Sequence, residues 1–350
     1  MIETKADVFV IGGGPAGLAA AIAARRKGFK VAVADAARPP IDKACGEGLM
    51  PDSLAALRRL GVEIDADAGV AIRGIRFLGH GASVEANFPS GFGIAMRRTQ
   101  LHQILARHAE QAGVTLLWGT RVAGIRDIPS CRWVIGADGQ NSRVRREAGL
   151  DAATRCSFRF GFRRHYFARP WTDFVEAYWG PRCQIFVTPV SPEEICVALL
   201  CRDAHLRLDD VLPEFPELKH RLAGAAYSDL ERGAVTYSRR LKRVFRDHTA
   251  LIGDASGSVD AITGEGLGLS FRQAAALADA LVSGNPAAYQ AAHRRFASRP
   301  AFMASLMLQL DRSPWLCRGV LRAMAFQPAI FGGLLAIHIG RPEFAPAQAV

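Results

Sequence analysis

The sequence predicts an α/β protein with a parallel sheet and covering helices, an antiparallel sheet inserted into it, and a helical C-terminal region. Three observations carry that expectation. Residues 5–10, mostly apolar, lead into Gly12-Gly13-Gly14-Pro15-Ala16-Gly17 and an alanine-rich stretch through Lys27; residues 31–34 then read as a second buried strand ending at Asp35. Residues 151–245 change to short runs with the period-2 alternation of strands. From Asn285 onward the pattern is helical, with breaks expected at Pro300, Pro314 and Pro328.

Strand, glycine turn, helix, strand and acid, in that order, form a dinucleotide-binding fingerprint of the Rossmann type. Gly12 permits the tight turn, Gly14 lets the backbone approach a pyrophosphate, and Gly17 lets the helix pack closely on the strand. The helix opens at Pro15 and Ala16, where free N–H groups and the positive dipole end hold phosphates. Asp35 follows Gly17 by eighteen residues, near the distance at which an acid accepts ribose hydroxyls. An acid rather than a base there favours an unphosphorylated ribose, as in FAD or NAD, over NADP.

Length and composition narrow the class. The 350 residues suffice for two domains with a substantial core, and 49% hydrophobic residues with 34 glycines argue against disorder. The first strand begins so near Met1 that no signal peptide is expected. Seven scattered cysteines, without a CxxC pair, point to neither a disulfide framework nor a zinc site, so a reducing cytoplasm is expected and no metal. The net charge of +11 comes largely from arginine, with clusters at Arg155, Arg159, Arg163, Arg164 and Arg169 and at Arg239, Arg240, Lys242, Arg243 and Arg246. Such an excess either attracts an anionic partner or is a solvated surface; no nucleic-acid module is visible, and nucleic acid is not expected as a partner. Residues 319–340 are apolar but interrupted by Arg322, Gln327, Pro328 and His338. They make a poor transmembrane span, suited instead to packing over a site or touching a membrane surface.

Along the chain, the loop 43–51 carries Cys45-Gly46-Glu47-Gly48, whose glycines suggest backbone lying close to something flat or charged. A helix is expected over 53–60, strands over 72–78 and 83–88, a helix from Arg98 to near Gly113 and a strand over 114–118. Residues 132–136 form a strand running into Asp138, either a site acid or the cap of the next helix. Phe158, Phe160 and Phe162 alternate with Arg159, Gly161 and Arg163 as a half-buried strand, whose aromatics suit a substrate wall or the sheet's own core. Further strands are expected over 174–179, 184–189 and 195–201. Residues 249–252 return to the parallel sheet, putting Gly253 and Asp254 at the carboxyl end of a strand, where open α/β sheets bind ligands. Gly264, Gly266 and Gly268 precede a long helix and form a second N-terminal anion or carbonyl site.

The glycine fingerprint, residues 136–143 and Gly253-Asp254-Ala255 occur in the order and spacing of FAD-dependent oxidoreductases that resemble the aromatic hydroxylases, and they cover residues 1 to about 285. Within that superfamily, residues 43–51 and 254–268 look most like the geranylgeranyl reductase family. The resemblance implies FAD, held at its pyrophosphate by Gly12, Gly14, Pro15, Ala16 and Gly17 and at its ribose by Asp35 and Ala36. It puts Arg98 on the pyrophosphate side, Val122 at the adenine, Asp138 indirectly at the ribose, and Gly253 and Asp254 at the ribityl or phosphate portion. Gly264, Gly266 and Leu267 would face the flavin's pyrimidine edge, with Cys45 and Gly46 also at the cofactor. It also implies a discontinuous FAD-binding unit (1–75, 97–150, 246–285), a substrate sheet (76–96, 151–245) and a helical C-terminal region (286–350).

The family's aromatic-Trp-Phe-Pro substrate motif is replaced here by Phe186-Val187-Thr188-Pro189, and the Gly-Trp-Gly-Trp motif of flavin halogenases is absent. No second glycine fingerprint is visible, so NAD(P)H is expected as a transient electron donor. The expected activity is reduction or dehydrogenation of a hydrophobic isoprenoid or polyketide-like molecule through flavin N5. The alternatives are an NAD(P)H-dependent monooxygenase of an aromatic or polyketide-derived substrate and an FAD-binding protein without turnover. Cys45 and Glu47 are the candidate catalytic residues, each with a plain reading beside it: packing for Cys45 and loop fixing for Glu47. His80, His102 and His165 have no partner at informative spacing and read as structural or exposed.

Overall fold

The computed structural model describes residues 5–228 and 231–340, and within the first strand of the inserted sheet the side chains of Thr154, Arg155 and Cys156 lie outside the described residues. The chain opens with β1 (Val8–Ile11), α1 (Pro15–Arg26) and β2 (Val31–Asp35). Leu18, Ala19, Ala21 and Ala24 of α1 are fully buried, because small side chains let the helix sit close to the sheet on one side and to other helices on the other. There follow β3 (Gly48–Leu49), α2 (Pro51–Arg59), β4 (Val70–Ile72), β5 (Gly74–Gly79), β6 (Ala82–Asn87), β7 (Gly93–Ala95), α3 (Arg98–Gln111), β8 (Thr115–Trp118) and β9 (Trp133–Gly136). Four parallel pairings set β8, β2, β1, β9 and β16 (Thr249–Leu251) side by side, and β15 (Phe245–Arg246) adds an antiparallel edge. The strand order reverses at β1, so a crevice opens between the loops that leave β1 and β9.

After α4 (Arg143–Glu147) come β10 (Ala153–Tyr166), β11 (Phe174–Trp179), β12 (Cys183–Ser191), β13 (Glu194–Cys201), the short helices α5 (Leu208–Val211) and α6 (Pro216–Arg221), and β14 (Arg232–Leu241). With β5, β6 and β17 (Gly257–Ser258) these strands make an eight-stranded sheet, antiparallel except where β5 runs parallel to β11. A small third sheet, β3–β7–β4, joins the 43–51 loop to both halves.

The alternation in β10 is present and both faces are covered in part: Phe160 and Phe162 pack against the core of the inserted sheet, with Phe162 also lining the cavity, while the arginine face is buried more deeply. Arg159 and Arg163 are 3% and 2% exposed, whereas Phe158 is 57% exposed. Burying a guanidinium requires carboxylates, and they are supplied: Arg163 meets Asp42 and Glu47, and Arg164 meets Asp209 and Glu231. These arginines are internal ion pairs, not part of a solvated surface.

The C-terminal region comprises α7 (Gly266–Ser283), α8 (Pro286–Arg312), α9 (Pro314–Phe326) and α10 (Pro328–Ile339). Pro314 and Pro328 open helices, as expected, because a first-turn residue needs no N–H. The break expected at Pro300 does not occur: it lies inside α8, buried beside Met303 and Ala304, where packing offsets the missing hydrogen bond. Residues 341–350, the end of the expected helical region, lie outside the described residues.

Candidate active site

A cavity of about 700 Å³ occupies the crevice at β1 and runs on between the eight-stranded sheet and α8–α10. Its first part gathers segments far apart in sequence. Gly12, Gly14, Pro15 and Ala16 come from the first turn, Asp35 and Ala36 from the end of β2, Val122 from the β8–β9 connection, and Asp138 from the end of β9. Gly17 and Gly253 stand behind this wall. A Cβ on Gly17 would fall 1.9 Å from the Gly12 carbonyl oxygen, and one on Gly253 would fall 2.6 Å from Ala16 Cβ, so both let α1 approach the strands. Gly14 differs: nothing lies within 4 Å of its Cβ position, so its missing side chain leaves space for a ligand.

The groups here suit a phosphate-bearing ligand. The first turn of α1 has neither a side-chain cap nor an acid, which leaves its N–H groups and dipole uncompensated. Arg98 lines the cavity with a buried Nε that has no partner. Asp35 accepts from Gly13 N at 2.7 Å and Ala37 N at 2.8 Å, which fixes its carboxylate at the rim. Asp138 Oδ2 caps α4, accepting from Arg143 N (2.7 Å) and Val144 N (3.1 Å), while its Oδ1 is buried without a partner. The cap and the cavity-facing role therefore belong to one carboxylate. Lys43 Nζ reaches Asp254 Oδ2 at 2.8 Å, closing the 43–51 loop over the end of β16.

Glu47 is the centre of that loop. It is 3% exposed and has a φ of 61°, a left-handed conformation that a non-glycine residue holds only when its surroundings enforce it. Glu47 Oε1 accepts from Arg98 N at 2.8 Å and Arg163 Nη1 at 2.9 Å, and Oε2 accepts from His165 Nε2 at 2.6 Å. Arg163 also grips Asp42. The Cys196 thiol packs against the same carboxylate, and burial first, then the Glu47 charge, pushes its pKa well up. Glu47, His165 and Cys196 bring their ligating atoms within 4.8 Å. Yet Arg163 already neutralises the acid and the thiol holds its proton, a poor setting for a cation. Cys45 lines the cavity, with its Sγ accepting from Glu47 N at 3.4 Å.

Across the cavity, Gly264 (φ 68°), Gly266 and Leu267 line the wall where α7 begins. Behind this turn Glu265, 2% exposed, takes Arg272 at 2.9 Å, while Arg272 also pairs with Asp52. Burial outweighs these cations and raises the Glu265 pKa to about 7. His338 of α10 lines the cavity, lies 3.1 Å from the Thr263 carbonyl oxygen through Nε2, and is lowered to about 4 by burial. Its Nδ1 stands 3.3 Å from Glu265 Oε1 without hydrogen-bond geometry. Beyond this point the walls are mostly apolar, with Phe77, Phe88, Val175 and Phe186 facing Met303, Met307, Val320, Met324, Phe331 and Leu334 from α8–α10, while Thr188 and Thr236 of the large sheet also line the cavity.

Residues 5–192 match the family described as FAD binding domain, and the chain belongs to it; fold and family together define an FAD-dependent oxidoreductase. Among its relatives is the menaquinone reductase of Mycolicibacterium smegmatis, 28% identical over 327 residues (83% of this chain, 80% of that protein). Digeranylgeranylglycerophospholipid reductase 1 of Methanopyrus kandleri is 29% identical, covering 75% of this chain and 76% of that one. The solved structure of the flavin-dependent brominase Bmp2 superposes with a TM-score of 0.79 over 96% of this chain and 94% of that one, at 20% identity, a likeness of fold.

Arg163, His165 and His338 were not among the site residues expected from the sequence. A signal for the first two was present, since Arg159, Gly161, Arg163 and His165 share one face of β10 as plainly as the phenylalanines share the other. His102 does act structurally, its Nε2 2.9 Å from the Gly13 carbonyl oxygen. No local pattern marked His338, whose position depends on how α10 folds back over the Thr263 turn.

Proposed function

We propose that the enzyme reduces a carbon–carbon double bond in a hydrophobic, isoprenoid-type molecule. The observation that carries this reading is the cavity's division into a polar end able to hold FAD and a deep apolar chamber walled by the eight-stranded sheet and α8–α10. The chamber offers mostly apolar contact along its length, as an extended hydrophobic chain requires. Relatives named as reductases of menaquinone and of a digeranylgeranyl phospholipid support it. In this reading the parallel-sheet half holds the cofactor, and the large sheet with α8–α10 holds the substrate.

Bound FAD supplies two-electron exchange with carbon at N5. Gly12, Gly14, Ala16 and Arg98 hold its diphosphate, Asp35 its ribose, and Asp254 with Lys43 its middle portion. The N–H groups of Gly264, Gly266 and Leu267 bear on its pyrimidine edge, and Val122 on its adenine. The walls exclude water. The Cys45 thiol lies at the chamber edge, met by the N–H of Glu47, whose carboxylate Arg163 and His165 hold in place. NAD(P)H binds transiently to deliver electrons.

The test is anaerobic. Enzyme reduced with NADPH is mixed with polyprenyl quinones or geranylgeranyl lipids, and flavin reoxidation is followed with product mass. Reoxidation without oxygen and a product that stays two hydrogens heavier after any quinol ring has been reoxidised in air, so that the gain lies in the isoprenoid chain, support the reading. Product formed only after oxygen is admitted would make the enzyme a monooxygenase, and reoxidation indifferent to every candidate would leave an FAD-binding role.

A further inference from the structure

The outer face of the C-terminal helices exposes bulky apolar side chains on two successive helices. On α9, Cys317, Leu321 and Met324 are buried, while Trp315 and Phe326, on the opposite face, are 83% and 90% exposed. On α10, Phe331, Leu335 and His338 point inward, and Ile330 and Ile337 are 48% and 51% exposed. Such bulky side chains held in water by consecutive helices mark a surface with a partner.

Charge and dimensions identify that partner. No Asp or Glu occurs from residue 312 to 340, whereas Arg312, Arg318 and Arg322 are exposed and none pairs with a carboxylate among the described residues. Arg322 lies on the stripe of Trp315 and Phe326, with Arg318 one turn away. At ~1.5 Å per residue, α9 and α10 are about 20 and 18 Å long, short of the ~30 Å hydrocarbon core, and they meet at a bend of 106°. Among the described residues no single helix is long and apolar enough to cross a membrane. Short helices with exposed aromatics and unpaired arginines suit the plane of an anionic bilayer surface. The face is also the outside of the cavity wall: Val320, Met324 and Leu334 line the chamber from these helices, and Leu306, 40% exposed, belongs both to that lining and to the surface.

We propose that α9 and α10 dock the enzyme on an anionic lipid surface, with Trp315 and Phe326 inserted among the acyl chains and Arg318 and Arg322 at the headgroups. The docking is independent of what the chamber binds. It is tested by sedimenting the FAD-loaded, full-length enzyme with vesicles of phosphatidylcholine alone and of phosphatidylcholine mixed with phosphatidylglycerol. Binding to the mixed vesicles is expected, weakening with salt. Arg318→Gln and Arg322→Gln should each lower it about fivefold. Trp315→Ser with Phe326→Ser should lower it at least tenfold with flavin content and melting temperature unchanged. The Trp315 contribution to emission, isolated by subtracting a Trp315→Phe variant, should shift to the blue only when anionic vesicles are added. Equal partition to both vesicle types, or full binding by the double variant, overturns the proposal. So does a blue-shifted Trp315 signal without lipid, or a dimer by light scattering that the double variant dissociates, because the face is then covered by protein.

Discussion

The sharpest expectation concerns Glu47. Replacing it with alanine removes three hydrogen-bond acceptor contacts at once and leaves Arg163, 2% exposed, with Asp42 alone. Breaking a buried pair by deleting one member costs about 3–5 kcal/mol. With an unfolding entropy of ~2.1 cal/mol/K per residue, the 350-residue chain changes by about 0.7 kcal/mol per degree, so the loss corresponds to about 4–7 °C in Tm. Glu47→Gln, which keeps an acceptor for the Arg98 N–H but loses the charge, should fall between. The assay is thermal release of flavin fluorescence, with anaerobic turnover measured on the same samples. Under this reasoning Glu47 positions the Cys45 loop, so Tm and turnover fall together through Glu47→Gln and Glu47→Ala. A Glu47→Gln enzyme that melts within about 1 °C of the parent yet has lost turnover would refute the argument and put Glu47 in the chemistry itself.

Other expectations follow from the same geometry. Gly14→Val should fold into a stable, colourless protein because its Cβ position is open, whereas Gly17→Val should fail to accumulate, the new atom lying 1.9 Å from Gly12 O; equal yields of both, or yellow Gly14→Val, would contradict the cofactor placement. Asp254→Ala should lose FAD on desalting and free Lys43; retention of full flavin absorbance counts against its role. Cys45→Ala should keep its flavin and slow turnover, and unchanged kinetics would reduce the thiol to packing. Glu265, raised to about 7, binds more protons folded than unfolded, so its contribution to stability declines as pH rises from about 4.3 to 7; His338, lowered to about 4, loses stability as pH falls from about 6.5 to 4. The slopes oppose, so urea midpoints between pH ~4.5 and ~6.5 should change little in the parent, rise with pH in Glu265→Gln and fall with pH in His338→Asn. Parallel profiles for all three proteins would exclude the pairing.

The parts legible in the sequence are those set by neighbours along the chain. The turn at Gly12, the open space at Gly14 and the close packing at Gly17 each demand a residue without a side chain, and Asp35 follows at the distance a strand and a helix impose. The helix starts at Pro314 and Pro328 were legible for the same reason, because a missing N–H costs nothing in a first turn. Pro300 misled because its tolerance depends on what packs around it, and Phe158 because aromatic residues look like a core until the register of β10 against β13 and β14 is known.

What only the tertiary structure decided is which distant groups share a site. Glu47 meets Arg163 and His165 across more than a hundred residues, and His338 reaches the Thr263 turn across seventy-five. Hydrogen bonds and ion pairs act over a few ångströms and are indifferent to separation along the chain. The sequence therefore determined that a dinucleotide would be held, whereas the buried clamp beside it and the apolar chamber beyond it exist only once the sheets and α8–α10 are packed together.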